Sequence, residues 1–281
     1  MSFDGNNNWV CPHSMCDGSG RVFEDERQVG RIHCACWPDM IRALAMGMAN
    51  IPPRYQGKDF SSTVVREQFP NYGNIVDFVK NYSMNWRQVR DSEGWTRADN
   101  GGRCLAILSP KSGMGKTHLA CAVMQQLIRD HWTESVCHQD VCFFVDPTEW
   151  FRKISDHYRK YPVLPRGTPQ SDDQSLDKGC EASRKELGAY ESRLYKTDLL
   201  VIDDFTRHKG GDEKRLERIF DVVNDRVKNR RATLITDNEP TLDRVAKNLG
   251  ENYGYPIVTR IENNGDVVTI DLPQGHRGRV R

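Results

Sequence analysis

The run PKSGMGKT at residues 110–117 joins two glycines, a lysine and a hydroxyl in an order suited to holding phosphate. Gly113 and Gly115 let the backbone wrap closely round an anion with its N–H groups pointing inward, and a helix starting behind them adds its positive end. Lys116 is placed to reach the β- and γ-phosphates of ATP and the Thr117 hydroxyl to bind Mg2+, while Ser112, Met114 and His118 complete the run lining the nucleotide. One departure stands at its start, where Pro110 replaces the usual glycine; that position shapes the turn and need not donate to phosphate.

A second run, LLVIDDF at 199–205, supplies what a phosphate loop lacks. Four apolar residues deliver Asp203 to a strand end, where it can hold Mg2+ through water, and Asp204 takes the place of the general base that orients the attacking water. Two acids after an apolar run are weak evidence alone and strong evidence behind a phosphate loop. The next strand, ATLITDN, ends in Thr236, Asp237 and Asn238. A polar group there can touch the attacking water or the γ-phosphate, and Asn238 is the expected one; its alternative is to cap the turn before Pro240 and the helix at Thr241. The chemistry these residues predict is Mg2+-dependent ATP hydrolysis.

A separate constellation opens the chain. CPHSMCDGSG at 11–20 and HCAC at 33–36 read as two turns, Cys11 with Cys16 and Cys34 with Cys36, offering four thiolates to one tetrahedral Zn2+. The spacing is irregular, so His13 and His33 stand as substitute ligands. Gly18 and Gly20 permit the turn after the first pair. This head has too few apolar residues to fold without a metal. Cys104, Cys121, Cys137, Cys142 and Cys180 read as buried or incidental.

The elements that must position these groups follow from apolar pattern. Cys104 to Leu108, Val141 to Val145, Leu199 to Ile202 and Thr233 to Ile235 are continuously apolar or nearly so, as strands covered on both faces are. Leu119, Val123, Met124, Leu127 and Ile128 form one helical stripe, and Leu216, Ile219, Phe220, Val223 and Val227 another. The fold class is therefore α/β: a parallel sheet with helices on both faces and a small N-terminal zinc-binding module. Residues 1–38 read as that module, 39–69 as a connector and 70–281 as the nucleotide domain. Three prolines and two glycines in 162–180 predict a mobile surface excursion. Past Asn238 the sequence predicts a helix near 241–249, a second short helix and a strand at Val267 to Leu272, too little for a full helical lid domain.

Composition bounds the rest. The chain has 281 residues, 37% hydrophobic and 28% charged, with a net charge of +1, so any affinity for nucleic acid must come from local patches. Residues 151–166 carry Arg152, Lys153, Arg159, Lys160 and Arg166 against Asp156, and Arg277, Arg279 and Arg281 lie near the end. No run approaches the roughly 18 apolar residues of a membrane span, and residues 1–10 lack the basic and apolar regions of a signal peptide. With nine cysteines and no such signal, a cytoplasmic, membrane-free protein with reduced thiols is expected.

With these motifs placed, the chain resembles the DnaC/DnaI/IstB group of bacterial AAA+ proteins, the helicase loaders and related transposition ATPases. The resemblance rests on IPPRYQGKDF (51–60), GMGKTHLA (113–120), LLVIDDF (199–205), TLITDN (233–238) and TRIENNGDVVTIDL (259–272). It implies a P-loop AAA+ domain without a complete lid. It implies that Arg260 is an arginine finger reaching the ATP of a neighbouring subunit in an oligomer or spiral; Thr259 stands where many members have Ser. It also implies that PTEWFRKISDHYRKY (147–161) faces DNA, with Arg152, Lys153, Arg159 and Lys160 tracking phosphates and Trp150, Phe151, Tyr158 and Tyr161 stacking on bases. Aromatic residues at helical spacing are otherwise core. The expected function is loading of a DnaB-like replicative helicase onto single-stranded DNA, with the zinc head contacting the helicase. The alternatives are an IstB-like transposition helper on duplex DNA and a nucleotide-gated adaptor with little hydrolysis.

Overall fold

A computed structural model describes residues 9–17, 19, 21–23, 31–62, 70–91, 94–97, 102–131, 141–161, 174–207 and 213–271. The head contains a short antiparallel pair, β1 (Arg21–Phe23) and β2 (Arg31–His33). Helix α1 (Trp37–Met48) follows at once, with Cys36 as its N-cap and a proline in its first turn. Its two halves serve different cores. Trp37, Met40, Ile41 and Ala43 pack with Trp9, Cys34 and Cys36, whereas Ala45 and Met46 pack against the nucleotide domain.

The chain then turns at Asn50, which adopts a left-handed backbone (φ 56°) and donates its amide to the Phe144 carbonyl at 2.8 Å. Two 3-10 turns (Pro53–Tyr55 and Phe60–Ser62) lead to helix α2 (Pro70–Asn85) and a hairpin of β3 (Gln88–Asp91) and β4 (Gly94–Arg97). Residues 49–60, read as connector, lie against the nucleotide domain, and Ala49, Ile51 and Phe60 are buried in its core.

From here strands and helices alternate: β5 (Cys104–Leu108), α3 (Lys116–His131), β6 (Cys142–Val145), α4 (Pro147–Lys160), α5 (Gln174–Lys196), β7 (Leu199–Ile202), α6 (Glu213–Lys228), β8 (Ala232–Asp237), α7 (Leu242–Leu249), α8 (Gly254–Asn263) and β9 (Gly265–Thr269). The five-stranded sheet runs β6-β7-β8-β5-β9, all neighbours parallel. Every residue of β5 to β8 is buried because alternate side chains feed two cores. Leu105, Ile107, Phe144, Val201 and Leu234 face α1, α2 and α3, while Ala106, Leu108, Phe143, Leu200 and Ile235 face α4 to α8.

Two boundaries differ from the sequence reading. The last strand begins two residues earlier, at Gly265, where a Cβ would lie 2.2 Å from the Cys104 carbonyl oxygen; only glycine lets β9 start that close to β5. The excursion expected at 162–180 ends sooner, because residues 174–180 begin α5, with Gly179 packed under the Tyr161 hydroxyl; residues 162–173 lie outside the described residues. The basic residues near the C-terminus lie outside them too. Helices α7 and α8 pack on each other, and α8 also packs on α6 and β5, so they extend the lower core rather than forming a separate lid. Among the described residues no helix is long and apolar enough to cross a membrane.

One buried charge was not legible in the pattern. Arg226 on α6 is fully buried and donates to Thr233 Oγ1 and to the carbonyls of Leu194, Thr197, Asp198 and Ala232. Those acceptors are the orphan carbonyls at the end of α5 and the start of β8, so the guanidinium ties three element ends together. Burial brings it down to about 9.

Candidate functional site

Parallel strands end on one edge of the sheet, and that edge gathers the phosphate loop, both acids and the end of β8. Gly113 (φ 79°) and Gly115 (φ 84°) hold the left-handed backbone the loop requires. At Gly115 a second constraint acts: a Cβ would meet the hydroxyl of buried Tyr72, on α2, at 2.5 Å. Met114 turns its side chain into the core, so only its backbone is offered to a ligand, and Ser112 is exposed. His118, in the first turn of α3, lies with Nε2 3.1 Å from the Asp59 carbonyl and 3.4 Å from Ser62 Oγ. Its side chain thus meets the connector.

Lys116 is buried, and its ammonium donates to the Lys111 carbonyl at 3.0 Å and to Asn238 Oδ1 at 2.9 Å. The other end of the Asn238 amide donates to Asp204 Oδ1. One side chain therefore bridges the lysine of the loop and the second acid of β7, residues 122 and 34 positions away in sequence. Asp204 sits in a left-handed turn (φ 55°), a conformation that costs free energy for a non-glycine residue and aims its carboxylate out of the strand. Arg207 approaches the same carboxylate at 3.6 Å.

Asp203 is the hub of the other half. It accepts from Thr117 Oγ1 at 2.8 and 3.1 Å and from Thr236 Oγ1 at 2.5 Å. Burial raises its carboxyl above the ordinary value, against the pull of the Thr236 and Thr117 hydroxyls. Burial likewise lowers Lys116, opposed by the charges of Asp204, Asp237 and Asp203. A hydroxyl beside carboxylate oxygens is the hard donor set that Mg2+ takes, and the glycine-lined loop leaves backbone N–H groups for phosphate, so the residues present fit Mg·ATP. Sequence reading picked Asn238 and passed over its neighbours. Thr236 also accepts from the Asp204 N–H at 3.1 Å, and buried Asp237 braces the turn after β7 through Thr206 N (2.6 Å) and Oγ1 (2.9 Å).

Arg260 lies on α8: Nε donates to Asn224 Oδ1 at 2.9 Å, one terminal nitrogen to the Pro256 carbonyl at 2.8 Å, and the guanidinium stacks 5.0 Å from the Phe220 ring. On α4, Trp150 and Phe151 are core, and Tyr158 is exposed. The four basic residues each have a local partner. Arg152 and Arg159 pair with Asp156 at 3.7 and 2.9 Å, Lys153 with Glu149 at 3.5 Å, and Lys160 lies 5.3 Å from the Tyr161 ring centre. Such exposed pairs contribute little to stability.

In the head the four expected thiols converge. Cys11 Sγ lies 3.7 Å from Cys34 Sγ, Cys16 Sγ 3.6 Å from Cys36 Sγ, and all four fall within 4.8 Å of one another. A tetrahedral Zn2+ with metal–sulfur bonds of about 2.3 Å has sulfur–sulfur edges of about 3.8 Å. The donor set and its spacing fit zinc. His13 is exposed and outside the cluster; the His33 side chain, Gly18 and Gly20 lie outside the described residues. Burial pushes the Cys36 thiol up to about 12, whereas at Cys11 the backbone N–H groups of Cys16, Met15 and His13 outweigh burial and bring it down to about 6. Four touching thiols do not all ionise without a cation among them. Of the other cysteines, Cys104, Cys121 and Cys142 are buried, Cys180 is half-buried, and Cys137 lies outside the described residues.

No protein-family model matches the chain, and no curated protein matches it. Solved structures do. DnaI is 16% identical with a TM-score of 0.50, covering 81% of this chain and 95% of that one. The DnaC helicase loader is 17% identical (78% and 100% covered, TM-score 0.48), and AMPPCP-bound DnaA from Aquifex aeolicus 15% identical (79% and 51%, TM-score 0.49). Together with the parallel sheet and its strand order, the DnaI match shows that this chain shares the α/β fold of DnaI.

Proposed function

We propose that the protein is a Mg2+-dependent ATPase that assists loading of a DnaB-like replicative helicase onto single-stranded DNA. The observation that carries this reading is a four-thiol head joined through one continuous helix, α1, to a nucleotide domain of DnaI-like fold. A zinc-held head offers a partner surface, and α1 gives it a rigid attachment to the ATP site's own core. The test is co-purification: the full chain is expected to retain a replicative helicase, and to stimulate its deposition on single-stranded DNA in the presence of ATP. Retention of a transposase instead would select the transposition reading, and ATP binding without turnover, with or without DNA, the adaptor reading.

Within the site, Lys116 neutralises the β- and γ-phosphates and Thr117 with Asp203 holds Mg2+. The metal, when bound, draws charge from the phosphates. Asp204, aimed by its turn and by Asn238, orients and deprotonates the attacking water. Asp204→Asn keeps the shape of the site and loses the base, so ATP affinity is expected to stay within about threefold while turnover falls by about 100-fold or more. Equilibrium binding and phosphate release measure the two separately; full turnover would move the catalytic role elsewhere.

Arg260 is proposed to act across a subunit boundary, leaving Asn224 and the Pro256 carbonyl when a neighbour's ATP lies beside it. Arg260→Ala is expected to lower turnover by about 10³-fold or more at unchanged ATP affinity. Mixed with Lys116→Ala it should recover activity, since one chain brings a working loop and the other a working finger. Failure to recover in demonstrably mixed oligomers would confine Arg260 to its own chain.

A further inference from the structure

Three consecutive N–H groups in the turn after β7 find their acceptors at the end of β8. The Asp204 N–H goes to Thr236 Oγ1 at 3.1 Å, the Phe205 N–H to the Thr236 carbonyl at 2.9 Å, and the Thr206 N–H to Asp237 Oδ2 at 2.6 Å. The Arg207 N–H closes the turn on the Asp204 carbonyl at 3.0 Å. One residue before the turn the chain is still tied to the other neighbour, with the Asp203 N–H on the Val145 carbonyl of β6 at 3.0 Å. The left-handed backbone of Asp204 begins where β6 lets go and β8 takes over.

Asp237 makes the strongest of these ties. Its carboxylate also accepts the Thr206 hydroxyl at 2.9 Å and the Glu239 N–H at 3.0 Å. Hydrogen bonds to an ionised acceptor are roughly twice as strong as neutral ones. Asp237 is only 1% exposed and Thr206 4%, so water does not compete for the pair. The anchor is itself fixed in the sheet: Asp237 ends β8, between β7 and β5, and its carbonyl accepts the Ser109 N–H at 3.1 Å. A held carboxylate thus grips both the backbone and the side chain of one residue, two positions past Asp204.

The conformation of Asp204 makes such a grip consequential. A non-glycine residue at φ 55° lies in a sparsely populated region, which persists only where the surroundings over-determine it. Asn238 holds one oxygen of the Asp204 carboxylate, but the backbone behind that carboxylate is held by Thr236 and Asp237. With Thr206 released, the turn can relax toward ordinary backbone and swing the carboxylate with it.

We infer that Asp237 is a positioning residue for the hydrolytic base: by gripping Thr206 through its N–H and its hydroxyl, it holds the turn that aims Asp204. The inference rests on the reading of Asp204 as that base. The effect of Asp237 passes through Thr206 and the turn, without contact with the reacting atoms.

Thr206→Val keeps the shape of the side chain and the backbone bond to Asp237, and removes only the hydroxyl. Phosphate release by the full chain at saturating Mg·ATP, with and without single-stranded DNA, is expected to fall about tenfold, short of the roughly hundredfold cost of a 1 Å misplacement. ATP affinity from equilibrium titration is expected to stay within about twofold, since only the aim of the base has changed. Thr206→Ser restores the hydroxyl and should recover turnover to within about threefold of the native chain. Asp237→Asn puts a neutral amide in place of the carboxylate and should lower turnover at least as far as Thr206→Val. In an Asp204→Asn background Thr206→Val is expected to do nothing further, because the base it positions is gone. Native turnover in Thr206→Val or in Asp237→Asn would overturn the inference, also where the melting temperature drops, since the pair would then serve stability alone. A parallel loss of ATP affinity, no recovery in Thr206→Ser, or a further fall in the Asp204→Asn background would overturn it as well. Asp204→Asn separates the two levels. If it loses turnover while Thr206→Val keeps it, only this inference fails; if it keeps full turnover, or the native chain shows none, the reading of Asp204 as base fails and this inference with it.

Discussion

Lys116→Ala is expected to weaken Mg·ATP binding by about 100-fold or more in a protein that remains folded. The ammonium is buried and already directed into the loop, between the Lys111 carbonyl and Asn238. Two charge-assisted hydrogen bonds to phosphate, at roughly 1.5–3 kcal/mol each, are lost with it. The substitution also leaves the carboxylates of Asp203, Asp204 and Asp237 facing a polyphosphate without their shared cation, whose charge each of them feels. Repulsion therefore adds to the lost attraction. Titration with a fluorescent nucleotide measures the effect, and far-UV circular dichroism checks the fold. Unchanged affinity in a folded variant would sink the phosphate-loop assignment.

Metal removal is expected to have the second large effect, confined to the head. The purified protein should hold about one zinc per chain. Structural zinc contributes on the order of 10–16 kcal/mol to small modules, and the head's own core of Trp9, Cys34, Cys36 and Met40 is too small to replace it. Chelation, or joint replacement of Cys34 and Cys36 by serine, is expected to unfold the head and expose Trp9. The loss should stop within α1. Trp37, Met40 and Ile41 lose their packing, but Ala45 and Met46 keep theirs, and the Ala49 carbonyl still accepts from the Phe144 N–H at 2.9 Å. ATP affinity should therefore survive. Metal analysis finding no zinc beside a protease-resistant head would refute the site.

The central elements were legible because their signals are local. The α3 stripe, Leu119, Val123, Met124, Leu127 and Ile128, is buried throughout, and the α6 stripe packs into the second core as its period requires. Helix α5 was less legible. Its first turns follow a proline-rich stretch, and nothing in their composition separates a polar helix from a polar loop. Arg226 shows the complementary failure: in an amphipathic helix an arginine reads as surface, yet here its acceptors come from element ends up to 32 residues away.

The sequence alone carries the chemistry proposed for the phosphate loop, because Gly113, Gly115, Lys116 and Thr117 lie on contiguous backbone at the start of one helix. It determined equally that Asp203 and Asp204 end a buried strand and that four cysteines crowd the head. Only the tertiary structure decided which groups meet. Threading β8 between β7 and β5 sets Asn238 between Lys116 and Asp204, and Thr236 beside Asp203 and Thr117. The physical reason is that apolar periodicity specifies which face of an element is buried but not against what. Strand order follows from how helices and sheet together cover both faces, a property of the whole chain, and the site's contacts inherit it.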